Sequence, residues 1–234
     1  MGDIKHLSEL ESNHSIQKIA QLERVYIKKS YIYVACNDAY SIYGIHRLLN
    51  NEEYDPKAIF YIAEYSDKCG RKCCQGGCRQ FKLLVSDTSE KPEMFVNVKI
   101  NDINIYIGKI VMPFKFFYNP MTIEAYDVNN KLTYSIKDNC CKCIIICGGC
   151  SCKKSCKEEY FKLYDKNQKE LIPIKQKAYD CEKSCTHSIY DKIAEFPQGA
   201  STQDKILLIA TIIMHDLTFL EIPPEKRRVR SNMN

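Results

Sequence analysis

The stretch Asp204 to Glu221, DKILLIATIIMHDLTFLE, is the only long apolar run in the chain, and the rest of the sequence must find it a place. Ser201-Thr202-Gln203-Asp204 has the S-x-x-D form of a capping box, in which Ser201 caps the first turn and Asp204 reaches back to it. Pro223-Pro224 stops the helix, because proline cannot continue the hydrogen-bond ladder and extends the residue before it. The sequence therefore predicts a helix over 202–221, apolar on nearly every side. Such a helix lies inside a protein core or inside a membrane.

The run from Ile206 to Leu220 is 15 residues long and includes Thr211, His215, Asp216 and Thr218, whereas roughly 20 apolar residues cross a bilayer. On an insertion scale each Leu or Ile gains about 0.3–0.6 kcal/mol and one central Asp costs about 2.5–3.5 kcal/mol. With His215 added, insertion comes out near break-even. Thr211, His215 and Thr218 recur at i, i+4 and i+7, a polar stripe able to hydrogen-bond to surrounding protein. His215 and Asp216 are the polar residues of the predicted central helix.

Before this helix the chain reads as short strands. β-branched and aromatic residues dominate 25–35, 58–65, 80–87, 94–100, 103–112, 121–128, 131–138, 160–166 and 170–177. Asp87-Thr88-Ser89, Asn129-Asn130 and Lys166-Asn167-Gln168 separate them as turns, and 50–58 reads as a surface loop. This spacing points to a sheet closed into a barrel or folded as a sandwich. An internal repeat sharpens the reading. FYIAEYSDKCGRKCC, CRQFKLLVSD and EMFVNVKI are echoed by LTYSIKDNCCKC, a cysteine-rich loop and EEYFKLYDKNQKELIPI. In each unit a strand enters a cysteine cluster and an F-K-L strand leaves it toward an Asp-bearing turn. Two such half-sheets, each with one open face, can close around a single apolar rod.

The chain has 234 residues and a formal net charge of +5, too weak a balance to imply a nucleic-acid partner. Residues 1–20 read as a helical or disordered lead-in, with no cleavable signal at MGDIKHLSEL. Residues 223–234 form a basic tail in which Lys226, Arg227, Arg228 and Arg230 suit anionic lipid headgroups. The five histidines are scattered and stand at no catalytic spacing, and no phosphate loop or nucleophile elbow is present. An enzyme is not expected.

Fourteen cysteines without a signal segment point away from a disulfide framework and toward metal, lipidation or plain thiols. Cys69, Cys73, Cys74 and Cys78 form one cluster, of which Cys73, Cys74 and Cys78 are the candidate zinc ligands. Cys140, Cys141, Cys143, Cys147, Cys150 and Cys152 of the second cluster flank the apolar Ile144-Ile145-Ile146 and are the candidates for S-acylation, palmitate being the usual chain.

The stretch IFYIAEYSDKCGRKCC…CRQFKLLVSD (59–87) resembles the phospholipid scramblases. So do Phe196-Pro197, the spacing to Lys205, and the helix with Asp216 and Glu221; DNCCKC…CSC is similar to the family's cysteine segment. The likeness covers roughly residues 20–222. It implies a tubby-like fold over 21–222, a closed twelve-stranded barrel with a two-fold internal repeat around a central hydrophobic helix. It also implies membrane association through acylated cysteines, calcium binding, and movement of phospholipid between leaflets. Two features depart from it. The first, third and twelfth positions of the calcium segment are Ser188, Tyr190 and Gly199, which leaves only Asp191 and Glu195 as carboxylates, where calcium takes six to eight oxygens. The usual acylation cluster reads NVKINDINIYIGK, without cysteine.

The function expected is a membrane-associated, scramblase-like protein that moves or binds phospholipid without firm calcium dependence. The alternative is a non-transporting scaffold, an accessory subunit of a larger membrane or cytoskeletal assembly. Either places the chain inside the cell, on the plasma membrane or an organelle such as the mitochondrion.

Overall fold

The computed structural model describes residues 14–34, 38–49, 52–65, 82–86, 107–111, 121–138, 158–178 and 190–217. They form one antiparallel sheet and two helices. The elements run α1 (His14–Ala20), β1 (Arg24–Val34), β2 (Asp38–Arg47), β3 (Phe60–Tyr65), β4 (Lys82–Ser86) and β5 (Gly108–Val111), then β6 (Met121–Asp127), β7 (Leu132–Asp138), β8 (Glu158–Asp165), β9 (Ile174–Ala178), β10 (Tyr190–Glu195) and α2 (Thr202–His215).

The ten described strands lie in the order β4-β3-β2-β1-β10-β9-β8-β7-β6-β5. Read cyclically, that is the order of the chain. Each strand lies beside its sequence neighbour, and the first strand pairs with the last, Arg24 opposite Glu195 and Tyr26 opposite Ile193. The one break falls between β4 and β5, which are the two edges of the sheet and are not paired with each other among the described residues. The expected mainly β fold is borne out as one antiparallel sheet of ten strands, which does not close into a barrel among the described residues. The predicted strand at 94–100 lies outside the described residues.

Alternation divides each strand into an inner and an outer face. Val25 and Ile27 on β1, Ile45 on β2, Phe60 and Ile62 on β3, Ile136 on β7, and Phe161 and Leu163 on β8 are all buried on the inner face. They pack with α2 into one core. Every residue from Lys205 through Leu217 is buried, so protein surrounds the helix on all sides. That settles the choice left by the sequence: among the described residues no helix is long and apolar enough to cross a membrane.

The capping box forms as expected. Ser201 Oγ accepts from the Asp204 amide at 3.1 Å, and the Asp204 carboxylate accepts from the Ser201 amide at 3.1 Å. The described helix ends at His215 with Asp216 as its cap, and 218–221 lie outside the described residues. The expected polar stripe is corrected in part. Thr211 Oγ1 donates to the Leu207 carbonyl of its own helix at 2.6 Å, not to the surrounding sheet. A hydroxyl one turn from a carbonyl satisfies itself locally when its neighbours are apolar.

Two strands, β2 and β10, are not among those the sequence predicts. In β2, Gly44 interrupts the pattern; a Cβ there would come within 2.6 Å of His46 Nε2. In β10, Asp191 and Lys192 are polar yet buried, so the segment reads as a loop. At the opposite side of the sheet, the β6–β7 and β8–β9 turns are built alike. The Asp127 carboxylate accepts from the amides of Asn129 and Lys131, and the Asp165 carboxylate from those of Asn167 and Lys169. Asn130 and Gln168 take the left-handed conformation that each turn needs, with φ of 58° and 62°.

Candidate functional site

The polar groups concentrate in two places, one inside the sheet and one outside it. Inside, Asp216 closes α2 against the inner faces of β1, β2 and β10. Lys29 Nζ donates to Asp216 Oδ2 at 2.5 Å, Tyr43 Oη donates to the same oxygen at 2.8 Å, and Lys192 Nζ donates to Oδ1. Side-chain exposure is 1% for Lys29, 2% for Lys192 and 0% for Asp216. Burial alone would raise the Asp216 carboxyl, but the Lys192 and Lys29 ammonium groups outweigh it and hold the pKa well below the usual carboxylate range. Lys192 is lowered, chiefly by burial, since it shares one carboxylate with a second lysine. The neighbouring His215 ring lies 4.5 Å from that of Phe161 on β8.

This cluster holds a charge in place. An ionised carboxylate gripped by two ammonium groups and a phenol has no acid–base role near neutral pH. It fastens the end of the helix to β1 and β10, the central pair in which the first described strand of the chain meets the last.

Outside the sheet, Asp191 sits on the opposite face of β10 and is 1% exposed. Tyr26 Oη donates to it at 2.5 Å and the Lys29 amide at 3.3 Å. Tyr26 stacks on Tyr54 with ring centroids 4.4 Å apart, and Lys28 Nζ donates to Tyr54 Oη at 2.8 Å. Tyr54 belongs to the β2–β3 connection, which folds back over the sheet. His46 anchors that connection through Nδ1, 2.7 Å from the Asp55 carbonyl, and burial lowers its pKa. Further along the connection, the Glu52 carboxylate reaches Lys175 at 2.6 Å and Lys177 at 2.7 Å on β9.

The two candidate calcium carboxylates do not converge. Asp191 is engaged by Tyr26, while Glu195 lies 3.9 Å from Arg24 and its side chain is 40% exposed. Four residues of strand separate their backbones by about 13 Å. Among the described residues no group of three or more His, Cys, Asp or Glu is placed to hold a metal. Cys73, Cys74 and Cys78, Cys140 to Cys152, and Lys226, Arg227, Arg228 and Arg230 lie outside the described residues.

The topology nevertheless sorts the cysteines by sequence. α2 starts at the pole where β1 starts, since Lys205 Nζ donates to the Ala20 and Leu22 carbonyls at 2.7 Å. Asp216 points toward the opposite pole. At that opposite pole β1 ends and β2 starts, as do the pairs β3/β4, β5/β6, β7/β8 and β9/β10. The connections between those strand ends are 35–37, 66–81, 112–120, 139–157 and 179–189, and they contain all fourteen cysteines. The connections at the other pole contain none. In the sequence the basic tail follows α2.

Sequence reasoning missed Lys29, Lys192 and Tyr43 as partners of Asp216. One signal was present. In VYIKKSYIYV, Lys29 stands at the parity of Val25 and Ile27, so simple alternation turns it inward. Compared with known protein families, with curated proteins and with solved structures, the chain matches none.

Proposed function

We propose that the chain is a scramblase-like, peripheral phospholipid-binding protein that meets a membrane by the pole carrying its cysteines and basic tail. The observation that carries the reading is the sorting of all fourteen cysteines to connections at one pole, with none at the other. Thiols placed there can carry acyl chains that enter lipid together, and a polybasic tail beside them supplies the second signal that stable anchoring needs. Cys140, Cys141, Cys143, Cys147, Cys150 and Cys152 are the acyl acceptors in this reading. The sheet, on the same proposal, closes as a twelve-stranded barrel. The sequence repeat relates β3 and β4 to β7 and β8; from β4 to β8 is four steps, and onward from β8 to β4 is six. Two further strands between β4 and β5 would make the halves equal.

The sealed helix favours binding over transport, because it offers lipid no apolar path of its own. A non-transporting accessory subunit of a membrane assembly is therefore the second reading. Purified protein is reconstituted in liposomes with a fluorescent lipid, with and without calcium, and its co-flotation is followed before and after hydroxylamine. Flotation that hydroxylamine abolishes supports acyl anchoring at the cysteine pole. Lipid flip above the protein-free control identifies a scramblase, and flotation without flip the accessory role. Protein that neither floats nor flips lipid refutes the membrane reading.

A further inference from the structure

We propose that the outer flank of β9 carries a phosphomonoester-binding site, which the chain keeps occupied with its own Glu52. Lys175 and Lys177 stand two residues apart on one face of β9 and converge on a single anion. Lys175 takes Glu52 Oε1 at 2.6 Å and Lys177 takes Oε2 at 2.7 Å, so each ammonium grips a separate oxygen. Two cations spaced to hold two oxygens of one planar carboxylate also fit two oxygens of a phosphoryl group.

The carboxylate is brought there by the folded-back β2–β3 connection. Glu52 has φ of 62°, a left-handed conformation that a non-glycine residue adopts at some cost. That connection is held at a second point by Tyr54 stacked on Tyr26. Beside the paired lysines opens a groove of about 170 Å³ lined by Arg24, Glu52, Tyr160, Ile172, Pro173 and Lys175, among others. The volume suits a phosphoryl group on a short stem and falls below the roughly 300 Å³ at which drug-sized pockets begin. Arg24 is a third cation at the groove, held only loosely by Glu195 at 3.9 Å. A carboxylate carries one charge and two oxygens. A phosphomonoester carries about −1.5 to −2 and three acceptor oxygens, so it can satisfy Lys175 and Lys177 and keep one oxygen for a further donor. Glu158, 3.0 Å from Lys175, is a second carboxylate at the cradle, and any anion binds there against its charge. The lowered Glu52 carboxyl, pulled to about 2 by hydrogen bonds from Lys175 and Lys177, agrees with a cradle that prefers an anion.

The site lies on the outer face of β9 and does not rest on the membrane reading. Its test uses the full chain as wild type, as Glu52→Gln, and as Glu52→Gln carrying Lys175→Gln and Lys177→Gln, with Lys109→Gln as a control for charge alone. Glycerol 3-phosphate binding is measured by calorimetry at fixed ionic strength. Vesicles containing phosphatidic acid are compared by sedimentation with phosphatidylserine vesicles of equal charge. Removing a tethered competitor raises affinity, so Glu52→Gln binds at least about tenfold tighter than wild type. The lysine substitutions abolish that gain, and Lys109→Gln leaves it intact. Binding to glycerol 3-phosphate identifies a soluble ligand; selective sedimentation with phosphatidic acid identifies a lipid headgroup. If folded Glu52→Gln gains affinity for neither, or retains the gain without both lysines, the proposal fails.

Discussion

Asp216→Asn tests the buried cluster most directly. The change keeps the shape of the side chain and removes its charge, leaving the ammonium groups of Lys29 and Lys192 buried without the carboxylate they share. Breaking a buried ion pair by removing one partner costs about 3–5 kcal/mol. At about 2–4 °C per kcal/mol for a domain of this size, the melting temperature should fall by about 6–20 °C. Replacing the whole cluster behaves differently: Asp216→Leu, Lys29→Met and Lys192→Met together remove every charge of the cluster and should restore much of the loss. Differential scanning calorimetry of the three proteins decides the matter. The pH dependence gives a second check. Because the Asp216 pKa is depressed in the folded state, its contribution is complete above the ordinary carboxylate value of 3.8 and disappears as pH falls through the folded value. Asp216→Asn should lack that contribution at every pH. A loss below about 1 kcal/mol, the range of exposed pairs, would refute the claim that the helix end is held by charge. So would a triple variant no more stable than the single one, because the damage would then lie in shape.

Glu52→Gln should cost at most about 1 kcal/mol, since the Glu52 side chain is 35% exposed and solvent screens its pairs. Its depressed pKa places the loss of the wild-type contribution between 4.5 and about 2 as pH falls, readable as a pH-dependent difference in urea midpoint between wild type and Glu52→Gln. His46 has the opposite chemistry but a similar sign: burial lowers its pKa from 6.5, so below that value the unfolded chain takes up a proton that the folded chain resists. Stability should therefore fall with acidification below 6.5, and urea midpoints of His46→Gln should show a flatter dependence. Gly108→Ala would set a Cβ 2.3 Å from the Tyr126 carbonyl oxygen, a backbone atom in the paired strand. A loss of about 1–3 kcal/mol is expected, measured by urea denaturation.

The fold was legible where periodicity and capping act locally. Ser201 and Asp204 form the box their spacing predicts, and Asn129-Asn130 and Lys166-Asn167-Gln168 fall at turns. What escaped was polarity that only the three-dimensional arrangement makes tolerable. Asp191 and Lys192 are adjacent and charged, which locally means solvent; each finds its partner on a different face of the sheet, Tyr26 outside and Asp216 inside. The partners are distant in sequence, and no window along the chain contains both. The phenol of Tyr26 that engages the Asp191 carboxylate was hidden for the same reason, being distant in sequence. The pole-wise sorting of cysteines was hidden in another way. Their positions were plain, but which strand ends share a pole depends on the pairing of β1 with β10.

Whether α2 could leave the sheet to cross a membrane is decided by magnitude. Ile206, Leu207, Leu208, Ile209, Ile212 and Ile213 are all buried against the inner faces of the strands. Each such side chain contributes about 1.5–3 kcal/mol by burial, so withdrawing these six would cost about 9–18 kcal/mol. That equals or exceeds the 5–15 kcal/mol that holds a whole domain folded. Insertion returns almost nothing, because the apolar gain and the Asp216 penalty nearly cancel. Leaving the sheet would also strip Lys29 and Lys192 of their shared carboxylate. Extraction of the helix is therefore unfolding under another name, and the membrane contact proposed above would be made by groups outside it. Hydrogen exchange measures this: the amides of 205–215 should remain among the slowest in the chain, at the same rates with and without vesicles. Vesicle-dependent acceleration there, with the β1 and β10 amides still protected, would show that the helix leaves while the sheet survives, and would overturn the argument.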